Sequence, residues 1–202
     1  MKITEVFQSI QGEGPWIGKR CVFLRLHGCN IHCPWCDTKY TWAGMFFELT
    51  PEKVAEMIER AELSRVVITG GEPMMQREEV VELAAQLHQY GGISVAVETN
   101  GTIDFPEATF DLAVVSPKAI QMAEHWINRD VVMKIVVNEQ NVDEWMKWVK
   151  ESNMPTDQLY FMPMGIHPQE IIQRSQMILQ KMTQYGIDAA VSPRYHYFVG
   201  VR

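Results

Sequence analysis

The sequence predicts an α/β fold: a partial, incomplete TIM-type barrel of mostly parallel strands with crossover helices. Three observations carry this expectation. Short β-branched runs alternate with longer segments of helical spacing along the chain. Strands that alternate with helices pair in parallel through right-handed crossovers. The residues richest in chemistry follow the strand runs, at the strand ends where such sheets and barrels build their sites.

The first strand run is 21–27 (CVFLRLH), followed by a cysteine-rich segment. The stretch 39–47 is aromatic-rich and has no assigned element. A helix over 51–61 is predicted by Thr50 as N-cap and Pro51 at the first helical position. Strand 66–69 (VVIT) leads into Gly70-Gly71-Glu72-Pro73, and helix 77–90 sets Val80, Val81, Ala84, Leu87 and His88 on one face before Gly91-Gly92 ends it. Strands 94–98 (SVAVE), 112–115 (LAVV) and 131–137 (VVMKIVV) follow, the first two running into Glu98-Thr99-Asn100-Gly101 and Ser116-Pro117-Lys118. Helix 143–152, strand 159–162 (LYFM) with Met162-Pro163-Met164-Gly165 behind it, helix 169–185 closed by Gly186, and strand 189–192 complete the order.

A chain of 202 residues, 47% of them hydrophobic, buries a full core in one domain spanning 1–202. The formal net charge of -7 leaves no basic excess for phosphate backbones, so nucleic acid is not an expected partner. The N-terminal stretch lacks the apolar core of a secretory signal, and no run of about 18 apolar residues occurs. A cytoplasmic protein without a membrane span is expected. Four cysteines are too few for a disulfide framework, and three of them fall within eight residues.

Those three, Cys29, Cys33 and Cys36, form a C-x3-C-x2-C array on a loop that leaves a strand. Thiolates so spaced can converge on a 4Fe-4S cluster, and three ligands on a four-iron cube leave one iron open for chemistry. Two other readings stand beside this one: a structural zinc completed by His32 or His27, and three ordinary reduced thiols. Cys21, inside the strand, is a core residue. Trp126, Trp145 and Trp148 are expected to cover a helix face or a subunit contact, Met74 and Met75 to wall a pocket, and Glu13 and Gly14 to shape a turn. For His125, His167 and His196 the sequence names no partner.

The cysteine array, with Trp35 just before its last member, resembles the signature of radical S-adenosylmethionine enzymes, and Gly70-Gly71-Glu72-Pro73 is similar to their GGEP element. The flanks narrow the match. Phe7 to Gly14 (FQSIQGEG), Arg25, Cys36-Asp37-Thr38 with Tyr40-Thr41-Trp42, Thr69, Glu98-Thr99-Asn100-Gly101, Ser116-Pro117-Lys118 and Ser192-Pro193-Arg194-Tyr195-His196 resemble the 7-carboxy-7-deazaguanine synthase family over nearly the whole chain. It departs at the end, Phe198 to Arg202, where relatives often close the site and place a proline. The glycyl-radical activating enzymes share the cysteine loop but aim their radical at a partner protein.

The resemblance implies a radical S-adenosylmethionine lyase. Its reaction contracts 6-carboxy-5,6,7,8-tetrahydropterin to 7-carboxy-7-deazaguanine with loss of ammonia, on the path to queuosine. It implies a 4Fe-4S cluster on Cys29, Cys33 and Cys36, and a magnesium ion on Thr38 completed by the substrate carboxylate. S-adenosylmethionine is implied to touch Trp35, Cys36, Asp37, Gly71, Glu72, Ser116, Pro117 and Lys118, with Glu72 meeting its ammonium group and Met162 to Gly165 near its adenine. Ile10, Gln11, Gly12, Arg25 and Thr69 are implied to hold the pterin, Arg25 as a fork on its carboxylate. A homodimer and an electron donor such as flavodoxin or ferredoxin are implied as well.

Overall fold

The computed structural model describes residues 1–202. In chain order the strands are β1 (Lys2–Ile10), β2 (Arg20–Leu26), β3 (Phe47–Glu48), β4 (Arg65–Gly70), β5 (Ser94–Thr99), β6 (Leu112–Val115), β7 (Val132–Val137), β8 (Leu159–Pro163) and β9 (Ala190–Val191). The helices are α1 (Tyr40–Ala43), α2 (Pro51–Glu59), α3 (Arg77–Tyr90), α4 (Ile120–Glu124), α5 (Val142–Ser152), α6 (Pro168–Tyr185) and α7 (Tyr195–Val199). They build one open sheet in the order β3-β1-β2-β4-β5-β6-β7-β8-β9, parallel from β2 to β9. The mostly parallel partial barrel agrees with expectation. The antiparallel hairpin β1–β2 and the edge strand β3 do not appear in the sequence reading.

Strand parity sorts the sheet into two faces, because successive side chains on a strand point to opposite sides. Val22, Leu24, Leu26, Val66, Ile68, Val95 and Val97 join the main core beneath the helices. The other face carries Phe23, Arg25, Thr69, Glu98, Lys134, Val136 and Met162, which line a cavity. Thr50 caps α2 as expected, accepting from the Lys53 amide at 3.5 Å. On α3 the buried positions are Val80, Leu83, Ala84 and Leu87. His88 instead faces outward to Asp111 at 2.9 Å, so the apolar stripe lies a step away from the expected one.

Trp126, Trp145 and Trp148 belong to the main core rather than to a surface contact, and the Trp126 indole donates to the Gly101 carbonyl at 3.0 Å. Met74 is buried in that core and Met75 is exposed, so neither walls the cavity. No helix is long and apolar enough to cross a membrane.

Candidate active site

Cys29, Cys33 and Cys36 line one cavity at the C-terminal end of the parallel strands. Their loop is pinned in several places. The Asn100 side chain donates to Asn30 at 2.9 Å, Asn30 donates to Thr102 at 2.7 Å, and the Glu72 amide donates to the Gly28 carbonyl at 2.7 Å. A Cβ on Gly71 would lie 1.9 Å from the Gly28 oxygen, so only glycine lets the β4 end approach the cysteine loop this closely.

The thiol set fits a cluster better than a single zinc. No group of three or more His, Cys, Asp or Glu side chains draws together around a single ion. His32 stacks on Trp42 at 4.4 Å and His27 on Phe46 at 4.6 Å, and neither lines the cavity. Neither histidine is placed to complete a zinc tetrahedron, whereas a cubane needs only the three thiolates. Burial pushes the Cys33 thiol above its ordinary value, Lys118 pulls it down, and the neighbouring Cys29 and Cys36 push it up again. Cys21 lies in the smaller apolar cluster of the sheet, as expected of a core residue.

Of the residues the resemblance assigned to S-adenosylmethionine, Trp35, Cys36, Asp37, Gly71, Ser116 and Lys118 line the cavity, and Lys118 donates to the Ser116 hydroxyl at 2.8 Å. Pro117 is buried outside its lining. Met162 borders this cavity, while Met164 and Gly165 border an adjoining one shared with Trp35, Cys36 and Asp37.

Glu72 is set differently from those residues. It is 0% exposed and turned away from the cavity, and its carboxylate accepts from Thr99 Oγ1 at 2.6 Å, Asn100 N at 2.7 Å and Met74 N at 2.9 Å. Those three donors tie the β4 loop to the β5 loop through the carboxylate, and they leave one acceptor site on Oε2. Glu72→Gln places an amide donor among three donors and is expected to cost about 1–3 kcal/mol of stability. Denaturant titration reads that cost, and S-adenosylmethionine affinity of the folded variant should stay within about twofold of wild type. A tenfold loss of affinity with unchanged stability would mean instead that Glu72 meets the ammonium group.

Ile10, Gln11, Gly12, Arg25, Thr38 and Thr69 all line the same cavity. Thr38 Oγ1 stands 3.5 Å from Cys36 Sγ, and its carbonyl accepts the Thr41 amide and hydroxyl. Gln11 donates to Glu98 Oε1 at 2.9 Å and accepts from the Glu13 amide at 3.1 Å. His196 sits against Gly12, where a Cβ would meet its Nδ1 at 1.9 Å, and so also lines the cavity. The other two histidines lie elsewhere: His125 against Asp104 and Arg129, His167 at the start of α6.

The sequence reading missed the charged floor. Lys134, in the middle of β7, pairs with Glu13 and lies 3.5 Å from Glu98. Arg194 lies 3.5 Å from Glu13 and 3.0 Å from Asp37, and donates to the Gly165 carbonyl at 3.0 Å. Glu13 is therefore a mostly enclosed, paired charge as well as the residue that leads into the 3-10 turn Gly14–Trp16, where Gly14 is left-handed at φ +64°. Burial alone would raise its pKa, but Lys134 and then Arg194 outweigh it and hold the carboxyl at about 2. The one signal in the sequence was Lys134 itself, a lone cation within VVMKIVV. Three buried N–H groups lack a hydrogen-bond partner, on Arg25 Nε, Arg194 Nε and Trp42 Nε1, and all three residues line this cavity. Arg25 Nε and Arg194 Nε lie 3.1 Å from Glu5 and 3.5 Å from Glu13, so both guanidiniums are held at the cavity wall, where their charge suits an anionic ligand.

Residues 24–175 match the model of the Radical SAM superfamily. A 7-carboxy-7-deazaguanine synthase of Hyperthermus butylicus is 36% identical over 98% of this chain and 92% of its own length. Another from Pyrobaculum aerophilum is 34% identical over 97% and 93%. The crystal structure of QueE from Escherichia coli superposes with a TM-score of 0.74 at 23% identity, covering 96% of this chain and 94% of that one, a likeness of fold.

Proposed function

Because the chain belongs to the 7-carboxy-7-deazaguanine synthase family within the radical SAM superfamily, we propose that its cavity contracts 6-carboxy-5,6,7,8-tetrahydropterin to 7-carboxy-7-deazaguanine with loss of ammonia. The observation that carries the assignment to this cavity is the convergence of all three cluster cysteines with Arg25, Lys118 and Arg194 on one space. When bound, the cluster and S-adenosylmethionine supply the hydrogen abstraction that starts the rearrangement.

This chain's own residues bind, orient and enclose. Cys29, Cys33 and Cys36 would hold the cluster. Trp35, Asp37, the Gly70-Gly71 backbone, Ser116 and Lys118 would hold S-adenosylmethionine beside it. Ile10, Gln11 and Gly12 would present backbone and amide groups to the pterin, Thr69 would border it, and the Arg25 fork would face its carboxylate. Glu13, Lys134 and Glu98 fix Gln11 through a chain of hydrogen bonds and ion pairs, so the pterin edge meets a preset surface. Thr38 would offer its hydroxyl to magnesium, which otherwise keeps several waters and is completed by the substrate carboxylate. A one-electron donor such as flavodoxin or ferredoxin, and assembly as a homodimer, complete the reading.

The test is anaerobic turnover of 6-carboxytetrahydropterin with S-adenosylmethionine and a reductant, with and without magnesium, in wild type and Thr38→Ala. Wild type is expected to form 7-carboxy-7-deazaguanine and to be stimulated by magnesium. Thr38→Ala should keep its iron and its S-adenosylmethionine affinity while losing most of that stimulation, and Thr38→Ser should regain much of it. No deazaguanine from wild type would overturn the function. Wild-type stimulation in Thr38→Ala would overturn the magnesium role alone.

A further inference from the structure

The 5, 7 and 9 positions of β1 share one face, and Arg202 lies along all three. Its guanidinium donates to Glu5 Oε2, its guanidinium carbon lies 4.7 Å from the centre of the Phe7 ring, and its carbonyl oxygen accepts from the Ser9 hydroxyl at 2.6 Å. A carboxylate, a ring and a hydroxyl in a row thus match the charge, the stem and the backbone of one arginine. Gly200, left-handed at φ +71°, turns the chain out of α7, and the Val201 amide then donates to the His196 carbonyl at 3.2 Å, which delivers Arg202 to the cavity rim.

Glu5 is also the register partner of Arg25 across the β1–β2 hairpin. The Arg25 Nε lies 3.1 Å from Glu5 Oε1, yet it makes no aligned hydrogen bond and stays an open buried donor. The reason is competition for the carboxylate. Oε2 is taken by Arg202, and Oε1 accepts the Tyr40 hydroxyl at 2.8 Å. With one donor already on each oxygen, the Glu5 carboxylate meets Arg25 only through Nε, as a one-sided ion pair and not a two-bond fork, so the rest of the Arg25 guanidinium stays available to the cavity.

We propose that Arg202 is a positioning residue for the substrate carboxylate: by occupying Glu5 it keeps Glu5 from pairing face to face with Arg25. The inference rests on the pterin reading above and adds to it the group that keeps the anion-binding fork open. Without Arg202, Glu5 turns onto Arg25, and a carboxylated ligand must displace an internal carboxylate before it binds.

The test uses anaerobically purified, cluster-loaded protein titrated with pterin-6-carboxylate and with pterin lacking the carboxylate, each followed by its own fluorescence. Arg202→Ala is expected to weaken pterin-6-carboxylate about tenfold, the usual weight of one charge-assisted contact, and to leave the uncarboxylated pterin unchanged. Glu5→Gln added to Arg202→Ala should restore binding to within about threefold of wild type, since the competing charge is gone. A role in merely tethering the chain end would not be rescued this way. Wild-type affinity in Arg202→Ala, equal losses for both pterins, or no rescue by Glu5→Gln would each overturn the proposal. If wild type binds neither pterin, the functional reading fails and this inference with it.

Discussion

Replacement of any one of Cys29, Cys33 or Cys36 by alanine is expected to remove iron and turnover together, from about four irons per chain to near none. Two thiolates cannot hold the cube against solvent, and no histidine of the chain stands ready to substitute, since His27 and His32 are both turned onto aromatic rings. The loss reports ligation and not unfolding. The loop is held by Asn30, Asn100 and the Glu72–Gly28 backbone bond, none of which involves a thiol, and the three cysteines are only half-buried. Each variant should therefore unfold within about 1 kcal/mol of the apoprotein. Cys21→Ala is the control: it lies in the smaller apolar cluster with Phe23, Val67 and Ala96, where burial pushes its thiol to about 11, and the variant should keep its visible absorbance and activity. Loss of iron in Cys21→Ala, with retention in any of the other three, would reassign the ligands.

The parallel sheet is legible in the sequence because its strands are buried on both sides and read as unbroken β-branched runs, as in VVIT and LAVV. β1 escapes that test for a physical reason. Its residues KITEVFQSI place the apolar Ile3, Val6, Phe7 and Ile10 at uneven spacing, and the irregular register between Ile3 and Glu5 breaks the alternation that would mark a strand. β3 has only two residues and pairs antiparallel to β1, so no periodicity can reveal it. On α3 the expected stripe through Val81 and His88 yields to one through Leu83, because the larger aliphatic side chain takes the core position and the imidazole finds Asp111.

The site divides in the same way. The cysteines arise within a single loop, so their spacing carries them. The hydrogen bonds of Glu72 are not legible in the same way, because its partners Thr99 and Asn100 come from the next strand. The charged floor joins Glu13 from the β1–β2 loop, Glu98 from β5, Lys134 from β7 and Arg194 from the start of α7, groups brought together only by the fold. A charge in the middle of an apolar strand is the one local trace of such a floor, since it must find a partner when the strand is buried.

That requirement sets the second large effect. The Lys134 side chain is 5% exposed and that of Glu13 13%, and Glu13 is the one carboxylate that touches both Lys134 and Arg194. Glu13→Gln leaves Lys134 with Glu98 at 3.5 Å as its remaining counter-charge, and is expected to cost about 3–5 kcal/mol in a urea titration at neutral pH. Lys134→Met added to Glu13→Gln should recover more than half of that cost, since it removes the buried cation that Glu13→Gln leaves under-paired. The pH dependence has a definite sign. The Glu13 carboxyl is held at about 2 against an ordinary value of 4.5, so its contribution is complete above the ordinary value and is lost as pH falls toward 2. The stability gap between wild type and Glu13→Gln should be flat above about pH 5 and narrow steadily between about pH 4.5 and 3. A gap under about 0.5 kcal/mol at neutral pH, or one that does not narrow in acid, would mean that Glu13 is not held as a charged partner of Lys134.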